Sequence, residues 1–165
     1  MTKRITSLEQ LYQTINDTRL YKNFILREHV NSVINYVGDD WRKYINFSDR
    51  TYTRRILKEY SNDMFEFVLI CWNNDQYTPI HDHPERGCIM KVLEGGLWEH
   101  RYTKCCYGNY DVHEKSYVVR NDVTYIEGND TIHKIINDNL QTVTLHIYSP
   151  AGYINNTYDH TKIKN

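Results

Sequence analysis

"FEFVLICWNNDQYTPIHDHPERGCIMKVLEGGLWEHRYTK", residues 65–104, reads as short apolar runs parted by turn signals. The runs "FEFVLICW", "CIMKVLEG" and "LWEHRYTK" are rich in β-branched and aromatic residues, and "NND", "PERG" and "EGG" between them favour turns. The texture extends outward on both sides. "TYTRRIL" precedes the stretch, and "SYVVRN", "VTYIEG", "HKIIN" and "TVTLHIYS" follow it, spaced by "YGN", "GND" and "NDN". Regularly spaced short strands of this kind predict a mainly β fold, a small antiparallel β-barrel or jelly roll.

Upstream of Thr51 the periodicity changes. Ser7 and Gln10 resemble a capping box, and Leu8, Leu11, Tyr12 and Ile15 recur at helical spacing, predicting a helix over 8–17. Val30, Val33, Ile34 and Val37 make a second apolar stripe, stopped by Gly38. Asp40 is placed to cap a short third turn that buries Trp41, Tyr44 and Ile45. With no linker or repeat, residues 1–165 are expected to be one domain, with a helical part at about 1–50 and a barrel at about 51–150.

Composition narrows the function. A net charge of −1 gives no bulk electrostatic reason for a nucleic-acid or membrane partner. The longest strongly apolar run, "FVLICW", is far too short to cross a bilayer, and the amino terminus lacks the apolar core of a signal peptide. The four cysteines, Cys71, Cys88, Cys105 and Cys106, fit no C-x-x-C zinc spacing. They are expected to be thiols in a reducing, cytoplasmic setting.

Within "PIHDHPERGC", His81 and His83 are two apart and project to one face of a strand, where two imidazoles can chelate a divalent ion. An H-x-H pair alone is a weak signal. His133, followed by Asn137, strengthens it by offering a third ligand from a later strand. Cys88 stands where a carboxylate ligand is common. Three neutral ligands would suit iron, with an anionic substrate supplying charge, or zinc with bound water. In "TVTLHIYSP", Thr142, Thr144, His146 and Tyr148 share one face and Val143, Leu145 and Ile147 the other. The polar row either faces solvent or turns inward, where each group needs a partner.

The H-x-H and later histidine–asparagine motifs resemble those of cupin barrels, with Cys88 in place of the usual glutamate. "YTRRI", "HDHPERGC", "HKIIN" and "TLHIYSP" together resemble the cysteine dioxygenase family of cupin-fold thiol dioxygenases, in order from about Trp41 to Tyr153. The resemblance implies Fe(II) held by His81, His83 and His133, and conversion of L-cysteine and O2 to cysteine sulfinic acid, a step of cysteine catabolism. It implies that Arg54, preceded by Tyr52, fixes the substrate carboxylate, as a guanidinium fork suits. It further implies a thioether crosslink between Cys88 and Tyr148, with His146 directed at the phenol by the Thr144 hydroxyl where the family has serine. Gly87 departs from the mammalian pattern, and a wider pocket or looser loop is expected there. The family also implies a monomer.

Arg54 argues for a thiol carrying a carboxylate, so 3-mercaptopropionate stands beside cysteine as a substrate while cysteamine does not. A non-catalytic metal-binding cupin is the alternative of a different class. A hydrolase or isomerase would want a charged base near the metal. Glu94 and Glu99 are the nearby acids, and neither is expected beside Cys88, Glu99 because an odd number of positions separates the two along a strand. His29, His100, His113 and His160 are expected to be ordinary surface or core histidines, and Trp72 and Tyr77 either line the pocket or pack.

Overall fold

The computed structural model describes residues 4–20, 24–104, 109–128, 131–159 and 163–164. Cys105, Cys106 and His160 lie outside them, as do parts of the "YGN" and "GND" turns. Two short helices, α1 (Leu8–Asn16) and α2 (Val30–Ile34), come first, with 3-10 turns at Leu26–His29 and Asp40–Tyr44. The strands are β1 (Thr53–Ile56), β2 (Glu66–Asn73), β3 (Ile80–His81), β4 (Cys88–Glu94), β5 (Gly96–Lys104) and β6 (Tyr110–Val119). They continue as β7 (Val123–Ile126), β8 (Thr131–Ile136), β9 (Gln141–Tyr148), β10 (Thr157–Tyr158) and β11 (Ile163–Lys164).

One sheet runs β1-β2-β9-β4-β7 and the other β10-β3-β8-β5-β6-β11. Every pairing is antiparallel except the short β11–β6 contact. This is the expected jelly roll with amino-terminal helices. Its details differ at the edges: the "TPIHDH" segment keeps only two residues in β3, and β6 starts well before "SYVVRN".

The inner strands of the first sheet, β2, β9 and β4, are buried on both faces, which explains why "FVLICW" is apolar without alternation. Phe67, Leu69 and Cys71 of β2 pack outward with Leu8, Leu11, Ile15 and Val33 of the helices. Val68, Ile70 and Trp72 point the other way, into the barrel with Cys88, Met90 and Ile135. Each fully buried aliphatic side chain contributes on the order of 2 kcal/mol. β9 divides in the same way. Val143, Leu145 and Ile147 join the helical core, while Thr144, His146 and Tyr148 are buried inside the barrel.

The helix signals shift by a residue when placed in space. The Ser7 hydroxyl accepts from the Gln10 amide at 3.1 Å, but the Gln10 side chain returns to the Thr6 amide at 2.9 Å. Asp40 does not cap its own turn, whose first flanking residue is Asp39. Its carboxylate instead accepts from the Leu8 amide at 2.9 Å and the Tyr36 hydroxyl at 2.8 Å, so it caps α1 from across the layer. Proximity of an unsatisfied helix amide outweighed sequence adjacency. Among the described residues no helix is long and apolar enough to cross a membrane.

Candidate metal centre and active-site cavity

His81 closes β3 and stands opposite His133 of β8 in the ladder, and His83 follows two residues later. The three histidines are buried and each offers a ring nitrogen within 4.8 Å of the others. His133 Nε2 lies 3.1 Å from His81 Nε2 and 3.0 Å from His83 Nε2.

The outer ring nitrogens determine what these contacts mean. His81 Nδ1 donates to the Pro79 carbonyl at 2.9 Å, and His133 Nδ1 donates to the Glu99 carboxylate at 2.8 Å. Both partners only accept, so both Nε2 atoms carry lone pairs, which face each other without a proton between them. Such a pair is repulsive until a cation sits between its members. The spacing of about 3 Å also suits two nitrogens on one ion at about 2.1 Å, meeting near a right angle. Burial, then mutual repulsion, holds the His83 and His133 pKa values well below the usual imidazole range, and burial lowers that of His81. Neutral imidazoles are what a metal requires. The residues fit a divalent ion.

Of the two acids expected away from the site, Glu99 is in contact with it, bound to His133. β4 carries a bulge between Val92 and Glu94, so parity does not run through it, and Glu99 lies on the next strand, β5. Its carboxylate is buried, held by Arg101 at 3.1 Å and bound to His133. Burial pushes its pKa up, while Arg101 opposes that shift. Glu99 is therefore an outer partner of a candidate ligand, orienting the ring and raising its basicity. Glu94 stays outside, paired with Arg42 at 2.6 Å.

A cavity of about 310 Å³ opens beside the histidines, lined by Tyr52, Arg54, Trp72, His81, His133, His146 and Tyr148. Tyr52 stacks on Trp72 with ring centroids 4.7 Å apart. The Arg54 guanidinium carbon lies 5.6 Å from the Tyr148 ring centre, and no carboxylate among the described residues is paired with it. Arg55, the next residue along β1, is exposed and lies over the Tyr44 ring.

Trp72 has a second role that sequence left open. Its indole N–H donates to Thr144 Oγ1 at 3.0 Å, and Thr144 Oγ1 meets His146 Nε2 at 2.9 Å. The hydroxyl thus joins the indole to one ring nitrogen of His146, and the other, Nδ1, lies 3.3 Å from the Tyr148 oxygen, which also contacts the Cys88 thiol. Burial, Arg54 and His81 push the His146 pKa down to about 3, and burial with the neighbouring Cys88 raises that of Tyr148. A neutral imidazole and a protonated phenol result.

Cys88 and Tyr148 are directly opposite in the β4–β9 ladder, with the thiol in hydrogen-bonding reach of the phenol. Burial pushes the thiol pKa up. Gly87 does not widen the cavity. Its φ of 90° closes the turn from Pro84, and a Cβ there would sit 2.5 Å from the Ile126 carbonyl, on the β7 side. Asn137 is buried as a brace, donating to the Asn73 and Asn139 carbonyls. His29 stacks on Phe24, and neither His100 nor His113 joins the cluster. Tyr77 is exposed, under Lys134.

Fold and site together define a cupin with a three-histidine centre. The fold is shared with a double-stranded β-helix protein of Klebsiella pneumoniae, with TM-score 0.56, 12% identity, and 72% of this chain and 93% of that one covered. It is also shared with a cupin superfamily protein of Desulfitobacterium hafniense, with TM-score 0.50, 14% identity, and 65% and 84% covered. The sequence model described as cysteine dioxygenase type I matches residues 3–161, and the chain belongs to that family. Cysteine dioxygenase type 1 of Danio rerio is 26% identical over 160 residues, covering 93% of this chain and 79% of the relative. The Homo sapiens protein of that name is 30% identical over 115 residues, 67% of this chain and 57% of the relative, so the chain spans little more than half its length.

Proposed function

We propose that this chain is a non-heme Fe(II) thiol dioxygenase that converts L-cysteine and O2 to cysteine sulfinic acid. The observation that carries the reading is the arrangement of the cavity. Three neutral imidazoles converge beside it, His81 and His133 in its wall, with no carboxylate in their set, and Arg54 lines the same cavity without an acidic partner among the described residues. A cation there keeps its full charge and favours an anionic ligand such as a thiolate, while the guanidinium suits a carboxylate.

His81, His83 and His133 would hold the ion, which when bound supplies Lewis acidity and electron exchange with dioxygen. The thiol becomes a sulfinic acid by gaining both oxygen atoms. Sulfur loses four electrons and dioxygen gains four, so no further reductant is needed. Arg54 binds the carboxylate, and Tyr52, stacked on Trp72, keeps its side of the cavity closed to water. Tyr148 offers a phenol proton at the cavity wall, and His146 and Thr144 fix its orientation. Cys88 and Tyr148, opposite in the ladder, are the pair for a thioether crosslink, formed with loss of two hydrogens to dioxygen.

A second reading keeps the chemistry and changes the substrate. The lining includes a cation for the carboxylate but no acidic side chain for an amine, and this favours 3-mercaptopropionate as strongly as cysteine on contacts alone. We further read residues 1–165 as one domain acting as a monomer in a reducing cytosol.

Oxygen uptake by the iron-loaded protein over L-cysteine, 3-mercaptopropionate and cysteamine tests the reading. Uptake is expected with the first, weaker or none with cysteamine, and Arg54→Ala should raise KM for cysteine at least about tenfold. Turnover of 3-mercaptopropionate alone selects the second reading. No uptake on any thiol, with iron verifiably bound, supports a non-catalytic metal-binding cupin. Intact mass adds a separate check, since crosslinked chains are lighter by two hydrogens and Cys88→Ser chains should show one species.

A further inference from the structure

Asp82 lies between two of the candidate ligands, on the opposite side of the same segment, and is completely buried (0% exposed). Its carboxylate accepts four hydrogen bonds, all from Tyr153–Tyr158. The Tyr153 hydroxyl donates at 3.0 Å, the Asn156 amide and side-chain nitrogen each at 2.8 Å, and the Tyr158 hydroxyl at 2.9 Å. The backbone follows the same line. The Asp82 amide donates to the Asn156 carbonyl at 3.2 Å, and β10 pairs with β3 so that Thr157 stands opposite His81.

This segment has little other regular structure: β10 is two residues long. A buried carboxylate filled by four donors is the strongest anchor it has, since hydrogen bonds to an ionised acceptor exceed neutral ones. The anchored residues do more than cover the barrel. Tyr153, Ile154, Asn155 and Thr157 form one side of the cavity that Arg54 and His81 line from the other. Ile154 is 88% exposed while lining that cavity, so an apolar side chain is held at its mouth.

We propose that Asp82 is a positioning residue for substrate: it locks Tyr153–Tyr158 to the ligand strand as the outer wall of the cavity, and Ile154 on that wall sets the substrate's size limit. The inference rests on reading the cavity as a thiol site. It predicts acceptance of a thiol of cysteine's length and rejection of homocysteine, one methylene longer. It also ties the wall to the metal strand, so that a loosened wall weakens substrate binding while the ion remains.

The test uses the iron-loaded protein, Asp82→Asn, the double variant Tyr158→Phe/Asn156→Ala and Ile154→Ala. Neither Tyr158 nor Asn156 lines the cavity, and the double variant leaves Asp82 and the histidines intact should Asp82→Asn fold poorly. The double variant is expected to keep one iron per chain, to exchange amide hydrogens over 153–158 about tenfold faster, and to raise KM for L-cysteine about tenfold with kcat nearly unchanged. Ile154→Ala is expected to raise the ratio of homocysteine to cysteine kcat/KM about tenfold. Unchanged exchange overturns the anchor. Loss of iron at unchanged exchange assigns Asp82 to the ligand strand alone, and an unmoved ratio removes Ile154 as the limit. If the wild-type protein oxidises no thiol, the thiol reading fails by itself, and exchange over 153–158 still decides whether Asp82 holds the wall.

Discussion

Glu99 shows what a single buried acid can do without touching the ion. It meets His133 Nδ1 from outside, and Arg101 opposes the upward push of burial on its pKa. Glu99→Gln keeps the shape but weakens the acceptor, so affinity for the metal should fall about 10- to 100-fold in competition with a chelator. Thr144 makes a complementary case. Thr144→Val removes the hydroxyl that aligns His146 and leaves the Trp72 indole N–H without an acceptor, so kcat should drop about tenfold or more. Thr144→Ser should restore it, and steady-state kinetics on the two variants separates the hydroxyl from the methyl group. The histidines stood out in sequence by their spacing, while Arg54, Cys88 and Tyr148 were singled out only through the family resemblance of the motifs around them. Glu99 was found by neither route, because its role depends on which strand lies beside β8, and a bulge in β4 broke the parity used to discount it.

At the level of elements, β4 links the two layers. Its Cys88, Met90 and Val92 face the barrel, while Lys91 on the other face is buried and donates to the Val33, Ile34 and Tyr36 carbonyls at 2.7–3.0 Å. Three donors meet three acceptors at the end of α2, an arrangement that suits an ammonium. Lys91→Met would take the ammonium donor from the Ile34 and Tyr36 carbonyls, while the Val33 carbonyl keeps the Tyr36 amide. It should cost about 3 kcal/mol and lower the melting temperature by roughly 5–10 °C, measured by calorimetry. The helical layer also contributes a pH effect. Burial lowers the pKa of His29, which stacks on Phe24 and meets the Thr18 hydroxyl at 2.9 Å. The unfolded chain therefore takes the proton first as pH falls below about 6.5, and stability drops from there down to the lower folded value. Between pH 7 and 5 the wild-type melting temperature should fall more than that of His29→Gln. The strands and α1 could be read from period alone. The capping role of Asp40 could not, because its partner is 32 residues away in the chain.

Across the whole molecule, one sheet serves two cores. Its outer face is covered by the helices, and that leaves its inner face free to carry a polar row inside the barrel, where Thr144, His146 and Tyr148 find partners in one another and in Trp72. Sequence showed that the row had one face; only the closed barrel shows that the face turns inward and meets the histidines of the opposite sheet. The same closure sets Arg54 of the first sheet across a cavity from His81 and His133 of the second. The proposed function requires that this cavity deliver both atoms of dioxygen to one sulfur. The most direct measurement is turnover of L-cysteine by the iron-loaded protein under ¹⁸O₂, with the product mass read by mass spectrometry. Cysteine sulfinate carrying both labelled atoms is the predicted result; product with oxygen drawn from water, or no product from protein with iron bound, would contradict it.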